Sequence, residues 1–126
     1  MLRNQVVDPL FPECPVRNFL ARLGDKWSIL VLMALDGKDQ PQRFRDLERA
    51  IPDISQKMLA LTLRELEADG LVTRQAYAEI PPRVEYALTQ RAKSLLPHLH
   101  SLIDWTLNHL SDIVRDRQAY ASRRSR

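Results

Sequence analysis

The sequence predicts a mainly α-helical domain carrying one small β-hairpin. Three observations point there. Apolar residues recur at helical spacing along most of the chain. Between residues 71 and 88 that period gives way to alternation around a proline-containing tip. Each of the three glycines, at 24, 37 and 70, falls where a helical pattern ends. The chain has 126 residues, one domain's worth.

The elements follow in order. Residues 1–13 (MLRNQVVDPLFPE) lack periodicity and hold two prolines, so they read as an irregular arm. Pro15 suits the first turn of a helix, and Val16, Phe19, Leu20 and Leu23 follow at helical spacing. Gly24 stops that helix and Asp25 caps the next, Lys26 to Leu35, which Gly37 stops in turn. After the loop DGKDQPQ, Phe44 to Ala50 is a short helix with Phe44, Leu47 and Ile51 inward, ended by Pro52. Asp53 and Ser55 are alternative caps for a long helix to about Asp69, with Leu59, Leu63 and Leu66 on one face and Gly70 closing it. Leu71 to Tyr77 and Val84 to Leu88 alternate as two strands about Pro81 and Pro82. Thr89 caps a final helix whose apolar positions run from Leu95 to Val114, with Pro97 inside, where it should kink or split the helix. Residues 14–114 thus form the domain, and 115–126 a basic tail.

Charge and composition narrow the function. At 44% hydrophobic and 28% charged, the chain can bury a real core. Its longest apolar run, Ile29 to Leu35, is far short of the roughly 20 residues that span a bilayer. One cysteine, Cys14, fits a reducing compartment, and nothing suggests export, so a cytoplasmic protein is expected. The net charge of +3 is unevenly placed: 115–126 holds five Arg and one Asp, which leaves residues 1–114 at −1. Any anion-binding face of the domain must come from sorting charges by geometry.

Three glycines leave no room for a Gly-rich phosphate loop. His98, His100 and His109 have no metal-ligand spacing, and Ser28 and Ser94 have no nearby His and acid at a recognisable spacing. No enzyme, metal or cofactor is expected.

A short helix, a turn over 52–54, a second helix and then a hairpin is the plan of a winged helix-turn-helix, whose second helix enters the major groove. The blocks CPVRNFL, GDKW, RFRDLERAIPDISQKML, LRELEADGLVTR and PPRVEYALT resemble HxlR-type bacterial transcriptional regulators, a branch of the MarR-like winged-helix proteins. The resemblance covers roughly Cys14 to Trp105. It implies a homodimeric repressor or activator binding double-stranded DNA in the bacterial cytoplasm, associated with the nucleoid when bound.

The residues support that reading independently. With Leu59, Leu63 and Leu66 inward, about 100° per residue places Lys57, Leu61, Arg64 and Ala68 outward. Ser55, Gln56 and Lys57 occupy the first turn, where recognition helices touch bases. Gln56 is suited to adenine, and Lys57 to guanine or phosphate. Leu61 departs from the polar residues frequent in the family. It would pack on a thymine methyl, or face a neighbouring helix if the phase is shifted by some 40°. Arg43 precedes the first helix of the motif and suits a backbone phosphate. Arg83 resembles the family's wing arginine and is placed to enter the minor groove, although Glu79 and Glu85 compete for it. Arg74 is a further candidate of uncertain direction.

The last helix has more apolar positions than one small domain covers. Leu99, Ile103, Leu107 and Leu110 would pair with a second copy, together with Val16, Phe19 and Leu20, in a two-fold interface. Two recognition helices would then meet major grooves about 34 Å apart on an inverted repeat. Cys14 lies just before a helix N-terminus with Arg17 one turn on, and both favour the thiolate. The resemblance implies sensing of oxidants or electrophiles there; a small buried residue at a dimer seam is the other reading, and a small ligand the other input. The rival overall is a winged-helix protein-interaction module without DNA binding, which the near-neutral domain and the outward Leu61 would suit.

Overall fold

The computed structural model describes residues 15–38 and 40–125, so the arm 1–13 and Cys14 lie outside the described residues. The chain divides into two compact units, one ending at Lys93 and one beginning at Ser94.

In the first unit the helices are α1 (Pro15–Leu23), α2 (Ser28–Lys38), α3 (Phe44–Ala50) and α4 (Gln56–Ala68). The strands are β1 (Val72–Tyr77) and β2 (Arg83–Leu88), and α5 (Gln90–Arg124) starts here. The order is that of a winged helix-turn-helix.

The expected caps hold. Asp25 Oδ1 accepts the amides of Trp27 at 2.9 Å and Ser28 at 2.7 Å, closing the N-terminus of α2. Ser55, rather than Asp53, caps α4: its Oγ accepts the Met58 amide at 3.1 Å. Thr89 Oγ1 accepts the Ala92 amide at 3.1 Å at the start of α5. Gly70 takes φ +74°, the left-handed conformation in which a helix ends most easily on glycine.

Two helix ends differ from expectation. α2 runs past Gly37 to Lys38. Gly37 keeps no left-handed φ, and a Cβ there would meet nothing within 4 Å, so it sits in helical conformation in the last turn, one residue before α2 ends. α5 is unbroken through Pro97 and continues over 115–124, where a separate basic tail was expected. Proline removes one amide donor, a local loss within a helix of 35 residues.

α2 organises the core. It packs on α1, α3, α4 and β2. Its Val31, Leu32 and Leu35 are buried, as are Leu47 and Ile51 of the α3 region, Leu59, Leu63 and Leu66 of α4, and Leu71 and Val72 at the hairpin. Burying a leucine side chain is worth about 2 kcal/mol, so this cluster sets the position of α4.

The hairpin register pairs Val72 with Leu88, Arg74 with Tyr86, and Tyr77 with Arg83. A third strand contact, which the sequence does not announce, adds to it. Gln42 exchanges both backbone hydrogen bonds with Tyr86, at 2.9 and 2.8 Å, and its side-chain Nε2 donates to the Ala34 carbonyl at 2.9 Å. β2 is therefore held on both edges.

The junction of α4 and β1 is tied from two sides. Arg22 of α1 meets Asp69 at 2.7 Å. Arg91 donates to the Asp69 carbonyl at 2.9 Å, and Thr89 Oγ1 to the Gly70 carbonyl at 2.6 Å.

In the second unit α5 carries Ile103, half-buried, and exposed Leu102, Trp105, Leu107, Leu110 and Val114. The Trp105 and His109 rings stack at 4.3 Å. No helix among the described residues is long and apolar enough to cross a membrane.

Candidate nucleic-acid interface

The outward face of α4 matches the phase read from the sequence. Leu59, Leu63 and Leu66 are buried, and Lys57, Leu61, Arg64 and Ala68 are exposed. Thr62 joins the buried row. Leu61 is 39% exposed and points away from the core, so the shifted phase that would have turned it to a neighbouring helix does not occur. Ser55 and Gln56 are exposed in the first turn beside Lys57. That turn starts with amides that have no intrahelical partner, and Ser55 satisfies only one of them. A base, an amide side chain and open N–H groups thus share one end of the helix, while Glu65, Glu67 and Asp69 sit at the other.

Arg43 stands exposed immediately before α3, its backbone amide donating to Asp46 Oδ2 at 3.0 Å. Its side chain is left for solvent or an anion.

Arg83 is not presented at the wing tip. Its guanidinium lies 3.1 Å from Glu79 and 3.5 Å from Glu85, and 4.0 Å over the Tyr77 ring. Its Nε is buried without a hydrogen-bond partner. The competition foreseen from the two glutamates is the arrangement found. The tip itself is apolar: Ile80 is fully exposed beside exposed Pro81 and Pro82.

Arg74 gains direction from the register. It shares a hairpin face with Tyr86, and that face meets α4. A cavity of about 190 Å³ between them is lined by Ala60, Leu63, Arg64, Glu67, Arg74 and Tyr86. Strand alternation alone could not choose its side, because both faces of β1 beyond Val72 are largely exposed.

For the expected interface between copies, α1 offers Val16 and Leu20, both exposed, and half-buried Phe19. α5 offers Leu107, 67% exposed, with Leu110 and Ile103. Leu99 is already buried within the single chain and has little surface to give a partner.

Comparison with known proteins agrees with this geometry. The model of the family described as HxlR-like helix-turn-helix matches residues 22–114. An uncharacterized HTH-type transcriptional regulator of Methanothermobacter thermautotrophicus is 49% identical over 92 residues, 73% of this chain and 69% of that protein. The solved structure of the regulator ytfH from Salmonella typhimurium superposes with a TM-score of 0.74 at 35% identity, covering 88% of this chain and 97% of the other. The redox regulator HypR in its reduced form gives a TM-score of 0.70 at 37% identity, over 81% of this chain and 98% of its own. The chain belongs to the HxlR-like helix-turn-helix family of transcriptional regulators.

Proposed function

We propose that the protein binds an inverted-repeat operator as a homodimer, with α4 of each subunit in a major groove. One observation carries this: the exposed row Lys57, Leu61 and Arg64, backed by a fully buried leucine row, gives α4 a face that its own domain does not use. Gln56 and Lys57 read base edges, Leu61 packs on a thymine methyl, and Ser55 and Arg43 hold flanking phosphates. Pairing of α1 and α5 with their counterparts covers Val16, Phe19, Leu20, Ile103, Leu107 and Leu110. Nothing in this reading requires a cofactor or a membrane.

Cys14 is the proposed input. The likeness to HypR, a redox regulator, supports it. With one cysteine per chain, an oxidant such as a peroxide would join the Cys14 thiols of two subunits, taking up two electrons and two protons. An electrophile would instead alkylate the thiolate.

The test is selection of bound fragments from the source genome, followed by affinity measurement over a salt series. The expected result is a two-fold symmetric site and a steep loss of affinity with salt. Lys57→Ala should weaken binding with folding unchanged. Absence of binding to genomic DNA at low salt would replace this reading with a protein-interaction module docking through Leu61.

A further inference from the structure

We propose that Arg64 and Arg74 together form a seat for one phosphodiester of the DNA backbone, at the seam between α4 and the wing. The proposal rests on the DNA-binding reading above and adds to it a residue pair and a place. Arg64 belongs to both surfaces: it stands on the outward face of α4 with Lys57 and Leu61, and it lines the cavity that α4 shares with the hairpin. Arg74 reaches the same cavity from β1, because its pairing with Tyr86 turns it to the α4 side.

Three features suit the seat to a phosphate. Neither arginine has a carboxylate within ion-pair distance among the described residues, although the chain pairs Arg22, Arg83 and Arg115 with acids. Ala60 and Leu63 are apolar and offer the guanidinium groups no competing acceptor. Two planar guanidinium groups from different elements offer a phosphate several charge-assisted hydrogen bonds at once. Glu67 also lines the cavity, and with the two arginines leaves it at +1. Arg83, the wing arginine that the family resemblance favours, is occupied by Glu79, Glu85 and Tyr77. The wing's phosphate contact thus passes from its tip to its first strand.

The experiment uses the full chain, a selected genomic site and a scrambled duplex of equal length, with fluorescence anisotropy from about 50 to 300 mM salt. Arg74→Gln is expected to weaken binding to both duplexes alike, roughly tenfold, and to make the log–log salt slope shallower by about one per subunit. Arg74→Lys should restore the slope but only part of the affinity, since the charge remains and the fork is lost. Glu67→Gln should tighten binding several-fold. Unchanged affinity and slope in Arg74→Gln, with Lys57→Ala still impaired, would overturn the seat and leave the DNA-binding reading standing. Failure of the unaltered protein to bind either duplex would overturn that reading itself.

Discussion

Gln42 and Tyr86 exchange both of their backbone hydrogen bonds, at 2.9 and 2.8 Å, across the loop between α2 and α3. This pairing is one of the links that join the helix-turn-helix to the wing. Gln42 is 3% exposed, and its side chain fills one more obligation, the Ala34 carbonyl in the last turns of α2. Gln42→Ala removes this second donor from a half-buried carbonyl that keeps its helical amide partner within α2. The expected cost is about 0.5–1.5 kcal/mol, read as a lowered urea midpoint with an unchanged slope.

Ser55 separates stability from recognition. Ser55→Ala removes the cap on the Met58 amide and should cost about 1 kcal/mol in thermal unfolding. Ser55→Asp keeps a good cap and should melt like the parent. It places a negative charge in the turn proposed to meet DNA, so its affinity should fall while its stability does not. Equal affinity in Ser55→Asp and the parent would remove the first turn of α4 from the interface.

Gly70 is a position where backbone and packing act together. At φ +74° any side chain is strained, and a Cβ would strike the Arg91 guanidinium that holds the Asp69 carbonyl. Gly70→Ala should therefore cost about 1–2 kcal/mol from the backbone alone, with more from the displaced arginine. Gly37→Ala is the contrast. That position is helical and open, so the same substitution should stabilise by about 0.5–1 kcal/mol. Paired melting curves of the two variants check both signs.

Leu107 and Leu110 test the proposed pairing of subunits. Both are exposed on α5, at 67% and 43%. Leu107→Glu should shift the sedimenting species from dimer to monomer at micromolar concentration, and it should reduce DNA affinity in proportion. Leu102→Glu, on another side of the helix, is the control. A dimer that survives Leu107→Glu and Leu110→Glu together would move the interface elsewhere.

How far the sequence could be read depends on how each signal is written. The outward face of α4 was legible because a row of leucines at helical spacing sets its rotation, while the direction of Leu61 and the choice between two caps stayed open until burial and the Ser55 hydrogen bond decided them. Asp25, Ser55 and Thr89 were legible as caps because their oxygens act on amides two or three residues away. Gln42 was not legible. A single-residue strand has no period, and its partner lies on the far side of α4 in the chain. Gly37 misled because glycine marks a helix end only when φ turns positive, which composition does not state. Pro97 misled because the lost hydrogen bond is a local cost that a long helix can carry. The position of Arg83 depended on which of two competitors won. Glu79 and Glu85 flank it closely in the chain, whereas DNA has to arrive, so the free protein pairs it with acid.

The ion pair between Arg22 and Asp69 has a mechanical consequence. It connects the last turn of α1 to the residue on which α4 ends, at 2.7 Å. A slide of α1 by the rise of one residue, about 1.5 Å, directed along this contact would stretch it beyond hydrogen-bonding reach unless the arginine side chain followed. Cys14 immediately precedes α1 in the chain. A covalent change there that pulls on the helix would be reported at the far end of α4 as one broken contact, like slack taken from one end of a cord.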